Sequence, residues 1–340
     1  MTSTSLLPAA VECISERVAE AVRVGLASHP KRLPPWLFYD EAGSELFEQI
    51  TELDEYYLTR TERSIFETHA GAMIARAAAG DRLRIAELGA GSADKTRLLL
   101  AAAARRQGPV AYEPMDVSHT ALIAACERIE RELPRVQVAP LVVDYTLGMG
   151  LLPASRGERR LVLYIGSSIG NFEPEEAARL LRNVRTSLRP GDALLLGVDL
   201  VKDESVLLAA YDDQAAVTAA FNRNVLVRLN RELGADFNPD AFKHRAIWNA
   251  AASRIEMHLE SCSAQTVRLA DLEMRVAFGP GETIHTENSY KFTNELLGAL
   301  LLDSGFAIQH TWRDAREWYS LTLSRRRDQT EHRDGATVSN

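Results

Sequence analysis

The stretch Arg84-Ile-Ala-Glu-Leu-Gly-Ala-Gly-Ser-Ala-Asp-Lys-Thr96 decides the fold class of this chain. Residues 85–88 predict a short buried strand, Gly89 and Gly91 predict a tight turn, and the leucines and alanines that follow predict a helix. A strand, a glycine turn and a helix in this order are typical of a nucleotide-binding crevice, because glycine lets a ligand approach the backbone. No third glycine completes the dinucleotide fingerprint after Gly91, which favours a cofactor without a pyrophosphate.

Three further strands are predicted after this turn, and each of them ends in polar residues. They cover residues 110–116, which end in Asp116, residues 136–144, which end in Asp144, and residues 161–165, which lead into Gly166-Ser-Ser-Ile-Gly-Asn-Phe172. Ligands of parallel sheets lie at the carboxyl edge, where a carboxylate accepts the two ribose hydroxyls. A helix cap is the alternative for each Asp taken alone. The ordered set resembles S-adenosylmethionine-dependent methyltransferases and predicts S-adenosyl-L-methionine as the cofactor.

Composition and charge narrow the functional classes. A chain of 340 residues with 46% hydrophobic and 25% charged residues is ordinary for a globular enzyme. The formal net charge of −8 argues against a nucleic-acid partner, and no run approaches the roughly 18 apolar residues that span a membrane. Cys13, Cys126 and Cys262 lie far apart and form neither a disulfide framework nor a metal-ligand pattern. We therefore expect a cytoplasmic protein with no signal peptide, metal or membrane partner.

The pattern along the chain predicts two units. Residues 204–233 read as helical and residues 244–287 alternate as in an antiparallel sheet, whereas the parallel pattern returns after them. Thr59-x-x-Glu62 predicts a capping box at the start of the first core helix. The fold class is therefore α/β, a doubly wound Rossmann-like class I methyltransferase core with an inserted α+β substrate-binding unit. The predicted parts are a core at 61–200 plus 288–325, a substrate-binding unit at 1–60 plus 201–287, and a disordered tail at 326–340.

Four segments carry a more specific resemblance. They are Leu37-Phe-Tyr-Asp-Glu-Ala-Gly-Ser-Glu-Leu-Phe47, Glu55-Tyr-Tyr-Leu-Thr-Arg-Thr-Glu62, Gly166-Ser-Ser-Ile-Gly-Asn-Phe172 and Thr286-Glu-Asn-Ser-Tyr-Lys-Phe292. Over residues 30–325 the chain resembles the histidine-specific Nα-methyltransferases of ergothioneine biosynthesis. The resemblance implies that the small-molecule substrate is L-histidine. It also implies that three S-adenosylmethionine molecules convert histidine to its trimethylated betaine, hercynine.

The resemblance also implies which residues form the site. The implied cofactor residues are Gly89, Gly91, Lys95, Asp116, Asp144 and Tyr145. The implied substrate residues are Tyr39, Tyr56, Asn171, Tyr211, Met257, Glu287 and Ser289. Asn288 and Tyr290 depart mildly from the small or apolar residues expected between the matched positions, and a tyrosine near an imidazole would alter its fit.

The chemistry of methyl transfer agrees with these residue types. Transfer from a sulfonium is an in-line displacement that needs a free amine lone pair, a near-attack geometry and little water. Tyr39 is the catalytic candidate, because it can orient the amine and then face the growing ammonium with its ring. Asn171 and Tyr211 offer donors for the substrate carboxylate. Glu287 can accept an imidazole N–H, and Ser289 can complement the other nitrogen.

Each assignment has a simpler alternative. Tyr39 and Tyr56 could pack between domains, and Tyr57 competes for the role of Tyr56. The remaining alternatives are a helix cap for Asn171, an outer helix face for Tyr211, a core position for Met257, a solvated strand face for Glu287 and Ser289, and a surface position for Lys95.

Three alternatives for the function also stay open at this point. One is a methyltransferase for another amino acid, such as tryptophan, although an indole offers no ring acceptor. Another is a nicotinamide dehydrogenase, against which the incomplete glycine fingerprint counts. The third is a non-catalytic cofactor sensor. No heptad or long apolar edge argues for a dimer, so we expect a monomer.

Overall fold

A computed structural model describes residues 7–117, 119–143, 145 and 157–327. Its α-helices within these ranges are α1 Leu7–Ala27, α2 Glu41–Glu52, α3 Tyr57–Ala78, α4 Thr96–Gln107, α5 His119–Glu132, α6 Pro174–Ser187, α7 Glu204–Ala209, α8 Val217–Leu233 and α9 Asn294–Asp303. Its strands are β1 Lys31–Arg32, β2 Leu83–Leu88, β3 Val110–Asp116, β4 Val136–Val138, β5 Leu141–Val142, β6 Arg159–Tyr164, β7 Ala193–Asp199, β8 Phe242–Asn249, β9 Arg254–Ser261, β10 Gln265–Leu269, β11 Met274–Phe278, β12 Thr283–Tyr290, β13 Phe306–Arg313 and β14 Tyr319–Arg326.

The chain forms two compact units. One comprises residues 1–57 and 202–290, and the other comprises residues 58–201 and 291–340. We call them the insert unit and the core unit. The predicted boundaries were at 60/61, 200/201 and 287/288, and the substrate-binding role of the insert unit stays a prediction. The predicted tail lies outside the described residues from position 328 onward, whereas Arg326 ends β14.

The core unit contains an eight-stranded sheet that confirms the predicted fold class. Its order is β13-β14-β7-β6-β2-β3-β4, and β5 also pairs with β3. The neighbouring strands β7, β6, β2, β3 and β4 run parallel. The direction in which successive strands are added to the sheet reverses at β2, and the glycine turn begins at the end of β2. A ligand crevice of a doubly wound sheet lies at such a reversal. Apolar residues from one face of the sheet form a core with α3, α4 and α5.

The C-terminal strands complete this sheet. β14 pairs antiparallel with β7, and β13 pairs antiparallel with β14, so β14 and β13 close the sheet. All seven residues of β7 are buried. The chain re-enters the core unit at Lys291, whose Nζ lies 2.9 Å from Asp199 Oδ2, and both side chains are fully buried. This ion pair anchors the returning segment to the end of β7.

The insert unit contains a four-stranded sheet of order β1-β12-β9-β8 and the hairpin β10-β11. β8, β9 and β12 pair antiparallel, which confirms the alternation predicted for residues 244–287. Ile255, Met257 and Leu259 share the buried face of β9, as period-two spacing requires.

Three local predictions were wrong. The strand predicted over 136–144 is broken between β4 and β5 at Pro140, because proline has no N–H for the ladder. The helix predicted over 204–233 is divided into α7 and α8 by a turn in which Ala216 has a φ of 58°. Thr59 is not an N-cap, because α3 already begins at Tyr57.

Among the described helices, none is long and apolar enough to cross a membrane.

Candidate active site

The glycine turn after β2 is built by backbone hydrogen bonds to β3. The N–H groups of Gly89 and Ala90 donate to the carbonyl of Met115 at 2.8 and 3.1 Å. Gly89 and Gly91 have φ values of 65° and 50°, in the left-handed region that favours glycine. A Cβ atom on Gly89 would lie 3.1 Å from the hydroxyl of Tyr145, so a side chain there would be crowded.

Asp116 and Tyr145 lie beside this turn. The N–H of Gly91 donates to Asp116 Oδ2 at 2.9 Å, so the structure brings these two predicted cofactor residues together. The ring of Tyr145 packs edge-on against Tyr164 with centroids 5.9 Å apart. Asp144, the remaining acid of the predicted set, lies outside the described residues. A carboxylate at the end of β3 and an open glycine turn fit the ribose of S-adenosylmethionine.

Lys95 is not the surface residue that one alternative expected. Its ammonium forms an ion pair with Glu62 of α3, and its side chain is 20% exposed whereas that of Glu62 is 1% exposed. Glu62 therefore holds Lys95 near the turn. Glu62 was not predicted to be a site residue, because its Thr-x-x-Glu spacing also fits a capping box.

A second buried acid lies below the glycine turn. Glu87 of β2 accepts hydrogen bonds from Thr96 Oγ1 at 2.6 Å and from the hydroxyl of Tyr112. Burial raises the pKa of Glu87 to about 7, although these two donors and the charge of Lys95 oppose the increase. Glu87 thus fixes the first turn of α4 to the sheet through Thr96.

In the insert unit, three of the predicted tyrosines share an aromatic cluster. The ring of Tyr39 packs edge-on against Phe47 with centroids 5.7 Å apart, and Phe47 packs against Tyr56 at 6.2 Å. Tyr56 in turn packs against Tyr211 at 6.3 Å, and Phe221 packs against Tyr39 at 5.9 Å. The faces of these aromatic rings suit a substrate that carries a cationic nitrogen.

Tyr57 has a different environment from its neighbour. Lys202 Nζ donates to the Tyr57 hydroxyl at 2.8 Å and lies 4.4 Å from the centroid of its ring. Tyr56, by contrast, contacts Phe47 and Tyr211. These contacts favour Tyr56 for the role that the sequence left open.

Tyr211 follows α7 and is not part of a helix, so the outer-face alternative does not apply. It is 6% exposed, and its hydroxyl lies 2.7 Å from Ser289 Oγ, which brings two predicted substrate residues together. A tyrosine hydroxyl has one proton to donate. When Ser289 donates to Tyr211, the Tyr211 O–H can therefore serve a carboxylate.

A buried hydrogen-bond network fixes the backbone of Tyr211. His244 Nε2 lies 2.8 Å from the Tyr211 carbonyl, and His244 Nδ1 lies 2.8 Å from the amide nitrogen of Asn222. Asn222 is fully buried, donates to the His258 carbonyl at 3.1 Å and accepts from Thr286 Oγ1 at 2.8 Å. This pattern needs neutral His244 with its proton on Nε2, and burial lowers its pKa although the Tyr211 carbonyl opposes the shift.

A β-bulge in β12 sets the orientation of Glu287. The register with β9 shifts between His285 and Glu287, so Thr286 is the extra residue and Glu287 lies opposite Met257. Glu287 is 8% exposed and Ser289 is 4% exposed, so the solvated-face alternative is wrong for both. Met257 is 2% exposed, as its core alternative also expects.

The two departures from the family pattern lie on the other face of β12. Asn288 pairs with Glu256 and accepts a hydrogen bond from His285 Nε2 at 2.9 Å. Tyr290 pairs with Arg254 and accepts from its guanidinium. Strand alternation therefore separates both side chains from those of Glu287 and Ser289.

Asn171 belongs to the core unit, where it ends a 3₁₀ turn at Ser168–Asn171 after β6. The N-cap of the next helix, α6, is Glu173, so the helix-cap alternative for Asn171 is wrong. Across the described ranges, no three His, Cys, Asp or Glu side chains are grouped to hold a metal ion.

Sequence reasoning missed several residues that shape this site. They are Glu62, Glu87, Phe47, Phe221, Asn222 and His244. Phe47 lies in one of the four segments that carry the family resemblance and could have been chosen for that reason. Nothing in the spacing of Asn222 and His244, by contrast, shows that they meet in the fold.

The sheet order, the glycine turn and the acid at the end of β3 define a class I S-adenosylmethionine-dependent methyltransferase. A family model described as "Histidine-specific methyltransferase, SAM-dependent" matches residues 18–326. The chain belongs to this family, and the dehydrogenase and sensor alternatives are wrong.

Two named relatives are similar over most of the chain, and a third is similar over a shorter part. The histidine N-alpha-methyltransferase of Mycolicibacterium smegmatis is 44% identical over 315 residues, which cover 93% of this chain and 97% of the relative. That of Mycobacterium tuberculosis is 45% identical over 300 residues, covering 88% and 92%. Ergothioneine biosynthesis protein 1 of Neurospora crassa is 36% identical over 210 residues, covering 60% of this chain and 23% of that protein.

Proposed function

We propose that this methyltransferase trimethylates the α-amine of L-histidine to hercynine, which is the first step of ergothioneine biosynthesis. The family membership and the named relatives support histidine as the methyl acceptor. S-Adenosylmethionine, when bound, supplies an electrophilic methyl group on a sulfonium. The protein then has to bind the amino acid, expose its amine lone pair and exclude water.

The aromatic cluster supports the proposed handling of the amine. Tyr39 would orient the amine through its hydroxyl, and Tyr56 would lie on its other side. Each methylation increases the cationic character of the nitrogen, and aromatic faces stabilise a cation by about 0.5–2 kcal/mol. The rings of Tyr39 and Tyr56 both contact Phe47, which fixes their orientation.

The proposed carboxylate contacts are Asn171 and Tyr211. The hydrogen bonds of His244 hold Tyr211 through its backbone, and Ser289 binds its hydroxyl. We propose that Gly89, Gly91, Lys95, Asp116, Asp144 and Tyr145 hold the cofactor, with Asp116 on the ribose.

Recognition of the imidazole is carried by one observation, the placement of buried Glu287 on the same face of β12 as Ser289. Its carboxylate lies opposite Met257 and two positions before Ser289. A carboxylate can accept an imidazole N–H, and a serine hydroxyl can donate to or accept from the second nitrogen. A site built to bind a polar ring rejects an apolar ring strongly, because its buried groups are then left unpaired.

The test is the substrate preference of Glu287→Ala. We expect kcat/KM for histidine to fall about 10- to 150-fold, the equivalent of a charged hydrogen bond of roughly 1.5–3 kcal/mol. The value for tryptophan should fall much less. Glu256→Ala is the matched control, because Glu256 lies on the other face of the same sheet and is also largely buried. An equal loss for both substrates in Glu287→Ala would show that this residue is structural.

We also propose that the protein acts as a cytoplasmic monomer without nucleic-acid or membrane partners. Its net charge of −8 and its scattered cysteines support this part of the proposal. Sedimentation of the purified enzyme tests the monomeric state, and a stable dimer at micromolar concentration would contradict it.

A further inference from the structure

Glu62 is a buried carboxylate at the carboxyl edge of the core sheet. It lies on α3, outside the glycine turn, and is fully buried. Burying a carboxylate costs several kcal/mol unless good partners surround it, and an apolar residue is often as stable in such a place. A buried carboxylate at this position therefore indicates that Glu62 has specific partners.

The two oxygens of Glu62 bind three separate parts of the core unit. Oε2 accepts from the ammonium of Lys95, just before α4. Both oxygens receive the N–H of Gly166 after β6, at 3.0 and 3.2 Å. Oε1 also accepts from the hydroxyl of Tyr319 on β14 at 2.7 Å. One side chain thus links the glycine turn, the loop that leads to Asn171, and the closing strand.

The neighbouring strand leaves room for this carboxylate. A Cβ atom on Gly197 of β7 would lie 2.5 Å from Glu62 Oε1 and 2.7 Å from the Tyr319 hydroxyl. Gly197 has no positive φ, so its backbone does not require glycine. The absence of a side chain at Gly197 is explained by the space that Glu62 and Tyr319 fill.

The core unit also contains a second buried carboxylate whose environment resembles that of Glu62, but which lies away from the carboxyl edge of the sheet. Glu113 in the middle of β3 is 2% exposed and pairs with Arg84 and Arg160. It therefore resembles Glu62 in burial and pairing. The difference between the two is position, because only the partners of Glu62 include Lys95 and the Gly166 loop.

We propose that Glu62 is a positioning residue of the methyl-donor site, which acts by holding the Lys95 ammonium and the Gly166 loop in place. The inference rests on the proposed role of Lys95 in holding the cofactor. An ammonium has three donors, of which one serves Glu62. When one N–H of the Lys95 ammonium is held by Glu62, a second N–H would point toward the carboxylate of the cofactor's amino-acid part. The negative charge of Glu62 also balances that of Lys95, so that the site does not repel a sulfonium.

The test is a double-mutant cycle on the full-length enzyme, with S-adenosylhomocysteine binding measured by calorimetry. Glu62→Gln and Lys95→Met should each raise the Kd about tenfold, the equivalent of losing one charged hydrogen bond. The double variant should bind no more weakly than Lys95→Met alone, because both changes remove the same contact. Glu113→Gln, the matched control, should keep its Kd within about twofold while it loses stability. The KM for S-adenosylmethionine should rise in Glu62→Gln and the KM for histidine should not.

The outcomes separate this inference from the site on which it rests. An unchanged Kd in Lys95→Met would overturn both the cofactor role of Lys95 and the role of Glu62. A weakened Lys95→Met with an unchanged Glu62→Gln, or fully additive effects, would overturn the role of Glu62 alone. If Glu62→Gln does not fold, Glu62→Asp decides, because it keeps the charge but withdraws the carboxylate from Lys95. A Kd for Glu62→Asp within about twofold of wild type would then refute the inference.

Discussion

Replacement of Lys291 by Met should destabilise the core unit strongly. The ammonium of Lys291 lies 2.9 Å from Asp199 Oδ2, and neither side chain has any exposed surface. Methionine has a similar length and fills most of the same volume, so the substitution removes the charge with little change in packing. Asp199 is then a buried carboxylate without its cation.

The size of the effect follows from this burial. Removal of one partner of a buried ion pair costs about 3–5 kcal/mol, whereas an exposed pair is worth about 0–1 kcal/mol. For a unit of this size each kcal/mol lowers the melting temperature by about 2–4 °C, so we expect a fall of roughly 6–20 °C. Asp199→Asn in the Lys291→Met background removes the negative charge that Lys291 no longer balances and should recover part of this loss.

Differential scanning calorimetry of the three proteins measures these changes. Lys243→Met is the control, because Lys243 is exposed and its loss should leave the melting temperature within about 2 °C of wild type. A similarly small change in Lys291→Met would refute the reasoning. It would mean that Asp199 keeps its charge without help from Lys291.

Three further predictions concern the cofactor, the substrate and acid stability. Asp116→Ala should weaken S-adenosylmethionine binding about tenfold or more through loss of a charged acceptor, and unchanged calorimetric affinity would contradict the ribose assignment. Tyr56→Phe should raise the KM for histidine about 2- to 10-fold, whereas Tyr57→Phe, which loses the bond from Lys202, should not; the opposite result would assign the role to Tyr57. Burial lowers the pKa of His244 below its ordinary 6.5, so the unfolded chain takes up the proton first. Stability should be complete above about pH 6.5 and fall as the pH drops toward the lowered pKa, and an equally steep melting profile in His244→Gln would contradict this cause.

The parallel sheet was predictable because local signals repeat along the chain. β3 has the bounds that the sequence predicted, and it ends in Asp116. The break at Pro140 also had a local cause, the missing N–H, but the apolar residues around it concealed the break. The site residues taken from the resemblance remain predictions, although the geometry brings Tyr211 to Ser289 and Gly91 to Asp116.

Contacts between distant residues could not be predicted in this way. A Thr-x-x-Glu spacing describes both a capping box and two positions inside a helix, and only the folded chain shows that Glu62 meets Gly166 and Tyr319. The bulge at Thr286 shifts the strand alternation by one residue, so period-two reasoning alone cannot say which residues before and after it share a face of β12. Both features depend on residues far away in the sequence.

The antiparallel closure of the core sheet affects how the protein is made. β7 is synthesised before the whole 202–290 segment, whereas its partner β14 is synthesised after that segment. Until then β7 presents an unpaired backbone edge and apolar side chains on a strand that is wholly buried in the finished protein. Such an edge is a template for pairing with other chains. Chains truncated before residue 319 should therefore aggregate, and recombinant yield should depend on an intact C-terminal strand more than on the residues that follow it.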